Sequence, residues 1–453
     1  MKKIIFFFLT FSLLAACDDF LEESPPTGLT SDKLNDLVTM RALNNGAYKN
    51  FREFYAYATT IPSLAIGDSF MLPNDGAGNY IQATTWTTTG FSQVLTGNMY
   101  TSAMSAFHNV NYIINADLTN MAGTENEKNA VLGDAHLIKA VLNFTVDKFF
   151  TRNASGNSFP LLNTVVGPNE KVSLSTSIAL RAQAETDIEL ARQYLKQSAG
   201  VNTYMAATAF AAKIYFFHKK YDLAYERANE VITSGQFSLE SDMSNIYLDG
   251  DTSKETILTI VTDLTDTTPS NWGGYATVNF DRFEASKSTG LFTLNPYSLV
   301  AQLRNADPSD LRFTQLFEEK DGFVFMASKY PTNETDQIIV RLPEMYLTRA
   351  ESNIMNSNSV TSTDVADINV VKNRAGAADT ITGTPSASAM LDIIYNERSK
   401  ELCFELFDRL LNSVRLEKDI VDQNGSTYSY GDYINKLYYP FPQEEIDYHN
   451  FEE

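Results

Sequence analysis

Cysteine is nearly missing from this chain: 453 residues contain two, Cys17 and Cys403. If Cys17 takes the role argued below, no disulfide can form inside the chain, and stability rests on packing rather than cross-links. Histidine is also sparse. His108, His136, His218 and His449 are scattered, with no His-Glu-x-x-His run to hold a catalytic metal. Basic residues are outnumbered 35 to 56, for a formal net charge of −21. That field repels phosphate backbones and excludes nucleic acid as a general ligand. After residue 14 no apolar run approaches the ~20 residues that span a bilayer. There is no phosphate-binding loop and no serine-hydrolase elbow. Gly76 and Gly78 begin a dinucleotide-like pattern but lack its third glycine. Asp249, Asp251 and Ser253 resemble a calcium loop, yet Ile260 stands where the bidentate glutamate belongs. Neither a metal nor another cofactor is expected.

What is present begins at the N-terminus. Lys2 and Lys3 precede an apolar run from Ile4 to Leu14, which ends in Leu14-Ala15-Ala16-Cys17. A charged start, a short apolar stretch and small residues make an export signal. A cysteine at the cleavage point resembles a bacterial lipoprotein box, so Cys17 is the expected lipidation site, with residues 1–16 removed. Several acyl chains anchor firmly, because each buried CH₂ adds ~0.8 kcal/mol. Residues 17–30 carry Asp18, Asp19, Glu22, Glu23, Pro25 and Pro26, an acidic tether. Residues 31–453 are then read as one domain.

That domain reads as mainly α. Ala207, Ala211 and Ile214 share one helical face. After the polar break at Lys219-Lys220, a second stripe of Tyr221, Ala224, Ala228 and Ile232 runs to Gly235. Small residues on two stripes let paired helices approach closely, as in a tetratricopeptide-like unit of ~34 residues. A second pair is expected near 342–375, and one long helix from Ala387 to about Arg415. Such units bury their faces only by stacking into an α-α superhelix. Thr256 to Val261 alternates as one of a few short strands. Long irregular loops are expected near 61–97 and 262–330.

Several short segments resemble the SusD/RagB-like nutrient-binding lipoproteins. They include Asp18-Asp19-Phe20-Leu21-Glu22, Ser234-Gly235-Gln236-Phe237 and Arg341-Leu342-Pro343-Glu344. Further along stand Arg374-Ala375-Gly376, Asn396-Glu397-Arg398 and Tyr439-Pro440-Phe441-Pro442. Their shared order over nearly the whole chain carries the resemblance. In two places the chain departs from it. Leu406 stands where the family has glycine after the glutamate at Glu405, and Asp408 to Arg415 carries one extra residue. The resemblance implies a tetratricopeptide-like protein, lipid-anchored in the outer membrane and facing the cell exterior. It also implies a SusC-like TonB-dependent β-barrel transporter as partner, and capture of an oligosaccharide, or a peptide, without cleavage.

Sugar capture needs flat apolar faces for ring C–H surfaces, with amides and carboxylates for hydroxyls. Trp86 and Trp272 are the two tryptophans, and both fall in the expected loops. Tyr80, Asn79 and Asp68 accompany the first; Tyr275 and Arg282 accompany the second. These seven residues are the candidate ligand contacts. Glu397, Glu401 and Glu405 are spaced i, i+4 like a glycosidase pair, but Arg398 and Lys400 beside them favour a solvated or ion-paired helical face. No enzymatic activity is expected. The alternatives are a tetratricopeptide-like adaptor of the transporter without a small ligand and, less favoured, a surface glycoside hydrolase.

Overall fold

The computed structural model describes residues 36–62, 93–261 and 299–451, with short breaks at 153–154, 168, 199–200, 249, 321–322, 326, 330–334, 406–407 and 422–426. Two helices, α1 (Leu37–Pro62) and α2 (Gln93–Ile114), pack side by side and lean on α3 (Glu125–Phe150). A capping box starts α3: the Thr124 hydroxyl accepts from the Glu127 N–H, and the Glu127 carboxylate accepts from the Thr124 N–H. From Ala135 to Val146 every residue of α3 is buried, as a helix covered on all sides must be. A two-residue ladder of β1 (Asn157–Ser158) and β2 (Ser175–Thr176) leads into α4 (Ser177–Gln197).

The helical hairpin read from the alanine stripes is α5 (Val201–Phe217) and α6 (Tyr221–Thr233). Ala207, Ala211, Ile214, Ala224 and Ala228 are all fully buried. After the short α7 (Ser244–Leu248) and β3 (Thr256–Ile260), the described chain resumes with α8 (Leu299–Ala306) and α9 (Leu311–Leu316). The hairpin of β4 (Glu318–Lys320) with β5 (Phe323–Phe325) follows, then β6 (Gln337–Arg341). β3 and β6 pair antiparallel, with Thr256 opposite Arg341 and Ile260 opposite Gln337. The second hairpin is α10 (Leu342–Ser357) and α11 (Ser362–Arg374), followed by α12 (Ala387–Glu401) and α13 (Asp408–Arg415). β7 (Ile420–Val421) pairs with β8 (Thr427–Tyr428), and α14 (Tyr430–Tyr433) and α15 (Gln443–His449) close the described chain.

Each helix from α3 to α6 packs on the next. α6 then packs on α10, and α10 on both α11 and α12. The result is a superhelix of tetratricopeptide-like pairs, interrupted in sequence but continuous in space. Helix α5 lies at its centre, against α3, α4, α6, β3 and α13.

Three expectations need correction. The long helix from Ala387 to Arg415 is broken: α12 ends at Glu401, and Leu402 to Phe404 form a buried turn with Phe404 at φ 60°. The turn serves two demands that a continuous helix would not meet together. It places the Phe404 ring edge-on to Phe317, with centroids 6.0 Å apart, and brings Glu405 to buried cations. The expected loop at 61–97 overlaps two helices, since α1 runs to Pro62 and α2 begins at Gln93, and the rest of it lies outside the described residues. The expected loop at 262–330 likewise contains α8, α9 and the β4–β5 hairpin. The polar spacing there hid an anchor: Asp310 caps α9 and Arg312 reaches Glu397.

Gly376, in the Arg374-Ala375-Gly376 segment, has φ +72°, and a Cβ there would sit 2.7 Å from the Ser309 carbonyl oxygen. The approach is fixed because the Leu311 N–H donates to the Ala375 carbonyl at 2.7 Å. Gly376→Ala is therefore expected to lower unfolding free energy by about 2 kcal/mol, from left-handed backbone strain plus the clash. Urea denaturation of the two proteins measures it.

Candidate functional site

Glu397, Glu401 and Glu405, on α12 and the turn after it, are the most enzyme-like feature of the sequence. Arg341 ends β6 and is also the residue from which α10 starts, so strand and helix together aim its side chain inward. Its guanidinium donates to Glu255 Oε1 at 2.7 Å, Glu401 Oε1 at 2.5 Å and Glu405 Oε2 at 2.8 Å. Arg374 bonds Glu255 and Glu401 from the other side. Arg312 holds Glu397 at 2.7 Å, and Lys329 holds Glu405 at 2.7 Å. Glu397, Glu401 and Glu405 are 1%, 3% and 5% exposed. Burial pushes the Glu405 carboxyl up, but Arg341 and Lys329 outweigh it and hold it at about 2. Burial acts the same way on Glu401, where Arg374, Arg341 and Arg312 prevail and keep it well below the usual carboxylate range. These acids are ion-paired as one reading expected, yet buried rather than solvated. Buried against cations, these acids cannot meet a sugar, so they offer no hydrolytic pair. The other segments that carry the family resemblance do similar structural work. Arg398 sits over Phe216 and bonds Asp408 and Glu344, while Arg415 bonds Glu351.

An accessible site lies elsewhere. A cleft of about 580 Å³ opens between α2, the 162–170 segment and α15. Helix α15 reaches it because the Tyr439-Pro440-Phe441 segment is clamped. Phe441 stacks on Phe150 with centroids 5.2 Å apart and tilts against Phe451 at 5.1 Å, and the Tyr439 N–H donates to the Phe149 carbonyl at 2.7 Å. Helix α2 is held in turn by Asn111, whose amide donates to the Leu162 and Thr164 carbonyls at 3.2 and 3.0 Å. The polar lining includes Ser105, His108, Asn109 and Asn111 from α2, Thr164 and Glu170 from the segment, and Glu445 and His449 from α15. His449 is fixed at both nitrogens: Nδ1 accepts from the Val172 N–H at 3.1 Å, and Nε2 faces Glu445 at 3.2 Å. Burial holds the His108 imidazole below its ordinary value, so it is neutral at pH 7. Tyr448 also lines the cleft and remains 42% exposed.

Comparison with known proteins points the same way. Residues 324–449 match the SusD family model. The fold is SusD-like. A SusD superfamily protein from Bacteroides vulgatus ATCC 8482 superposes on it with a TM-score of 0.73 at 19% identity, over 92% of this chain and 98% of that one. A SusD superfamily protein from Bacteroides thetaiotaomicron VPI-5482 gives 0.71 at 19%, over 91% and 98%. Surface glycan-binding protein A from Bacteroides fluxus gives 0.66 at 18%, over 91% and 96%. No curated protein matches by sequence.

The candidate contacts of this SusD-like chain, Trp86, Tyr80, Asn79, Asp68, Trp272, Tyr275 and Arg282, lie outside the described residues, as do Cys17 and Leu406. The cleft was missed in sequence. Its polar residues are spread over three segments more than 50 positions apart, and only the fold brings His108, Glu170 and Glu445 together. Among the described residues no helix is long and apolar enough to cross a membrane, and no three His, Cys, Asp or Glu side chains are grouped to hold a metal ion.

Proposed function

We propose that this SusD-like protein is a non-catalytic surface lipoprotein, anchored through Cys17 in the outer membrane. In this reading it captures an oligosaccharide and delivers it to a SusC-like TonB-dependent barrel. The observation that carries the reading is the SusD-like frame itself, shared over nine-tenths of the chain with a surface glycan-binding protein. The locked carboxylates of α12 support a binding role over hydrolysis. Several weak contacts keep cargo at high local concentration above a pore, which suits an oligomer better than a small solute. The ligand face is assigned to the segments bearing Trp86 and Trp272, with Tyr80, Asn79, Asp68, Tyr275 and Arg282 as accessory contacts, because aromatic side chains offer flat apolar faces to sugar rings.

Glycan-array screening of the soluble form from Asp18 onward, followed by calorimetric titration, tests this directly. Trp86→Ala or Trp272→Ala is expected to weaken oligosaccharide binding about tenfold, equivalent to ~1.4 kcal/mol. Unchanged affinity in both variants would remove these residues from the ligand face. Binding of peptides but no glycan would change the cargo class.

A further inference from the structure

We propose that the seam between α1 and α3 is a pH-sensitive joint, in which α1 opens from the frame more readily at neutral pH than in mild acid. The cause is the Asp134 carboxylate, which stands in the seam with neither a cation nor a hydrogen-bond donor among the described residues.

The seam is a parallel helix pair held in one register. Leu37 packs on Gly123. Arg41 bonds Glu127 at 3.1 Å, and the Asn44 amide donates to the Val131 carbonyl at 3.0 Å, across sequence separations of 86 and 87. Tyr48 falls one turn beyond Asn44, and Asp134 one turn beyond Val131. A third layer forms there, in which the Tyr48 phenol feels the carboxylate's charge. The first layer is an exposed ion pair and the second a buried amide–carbonyl bond. The third has no such bond, although Asp134 is partly buried. One turn back, Asn44 is 4% exposed and its Oδ1 is also without a partner. Two acceptors are thus left unmet in one seam. A proton on Asp134 removes its charge and turns one acceptor into a donor.

Burial alone lifts this carboxyl to about 6. Its neighbours do not compete in that range. Burial and Asp134 push the Tyr48 phenol far up, so it stays neutral. The Thr124 N–H and Arg41 hold Glu127 at about 2. His136, two residues on, faces Asp187 of α4 at 2.8 Å instead. No charged group of α1, α2, α4 or α5 contributes to the rise at Asp134. When α1 lifts away, the carboxyl regains water and its ordinary value of ~3.9. A carboxyl raised in the closed form penalises closing above that raised value, and the penalty fades as pH falls through it. Between pH 7 and pH 5 the open fraction therefore drops roughly tenfold. Helix α1 follows the acidic tether expected from the sequence, so the joint lies between anchor and frame. That placement rests on the lipoprotein reading; the pH response of the seam does not.

Hydrogen exchange on the soluble chain from Asp18 onward, at pH 7, 6 and 5 with labelling times scaled to the intrinsic amide rate, tests the joint. At pH 7 peptides covering 44–55 are expected to exchange faster than those of α5 and α6, and to open about tenfold less often at pH 5. Asp134→Asn should hold α1 at pH 7 as firmly as the parent does at pH 5, and should lose the pH dependence. Arg41→Gln, in the exposed first layer, should keep it. Thermal melts check folding, and Asp134→Ser replaces Asp134→Asn if that variant unfolds. The joint is overturned if α1 is as protected as α5 and α6 at pH 7, because it then opens only with the whole molecule. It is equally overturned if α1 exchange ignores pH, if the neutral variants at 134 keep the parent's dependence, or if Arg41→Gln abolishes it. Acyl groups on Cys17 are read separately by mass spectrometry of the native protein, so failure of the anchor leaves the joint standing.

Discussion

Replacing Arg341 by methionine is expected to lower the unfolding free energy by about 3–5 kcal/mol, the cost of stripping a buried ion cluster of its central cation. Arg341 is 2% exposed and bonds Glu255, Glu401 and Glu405 at once. Methionine matches much of its length but leaves these acids with Arg374, Arg312 and Lys329 as their remaining cations. The damage should be wide, because the same residue joins β6 to α10 and faces β3 across the ladder. Urea denaturation at neutral pH followed by circular dichroism measures it. A change below about 1 kcal/mol would show that the cluster behaves like exposed surface pairs. The triple variant Arg341→Met, Glu401→Gln, Glu405→Gln should recover part of the loss, since it removes two of the three stranded charges together with their partner.

Acid is expected to be nearly as disruptive, with a steep loss of stability between about pH 4.5 and pH 2. Burial would raise the Glu405 carboxyl, but Arg341 and Lys329 bring it to about 2. Burial would likewise raise Asp147, which Lys148 and Arg181 bring to about 2. A carboxylate whose folded value is depressed stabilises the protein above its unfolded value. That contribution fades as pH falls and is gone below the folded value. Glu405 alone is worth on the order of 3 kcal/mol at neutral pH by this linkage. Two groups act in the opposite sense. Burial lifts Asp134 to about 6, and burial raises Glu255 despite Arg374 and Arg341. Both cost stability when ionised, so mild acidification relieves them first. The expected curve rises slightly from pH 7 to about 5 and then falls steeply. Urea midpoints across that range give its shape, and a monotonic decline from pH 7 would overturn the assignment to Asp134.

Much of the frame was legible in sequence because its signal is local. Alanines at helical spacing around Ala207 and Ala224 mark a close-packed hairpin in any context, and the structure places α5 and α6 there. Thr256 to Val261 alternates as a strand in sequence, and the strand observed there is Thr256 to Ile260. The break after Glu401 was not legible, because Leu402, Cys403 and Phe404 have the apolar character of a continuing helix. Only the distant partners Phe317, Lys329 and Arg341 explain why the chain turns there. The cleft was equally hidden. Glu445 and His449 look like any polar pair on a short terminal helix until Phe150 and Phe441 bring α15 against α2.

The β3–β6 ladder has one more consequence. The polypeptide leaves it at Ile260 and rejoins it at Gln337, and Arg312 pins the intervening stretch again through Glu397. Residues 262–298 are therefore spliced between two fixed points of the frame. Doubling the length of such a segment costs only ~0.6 kcal/mol in closure entropy. Descendants of this architecture can thus carry a longer or shorter stretch between these points while the frame beneath keeps its stability.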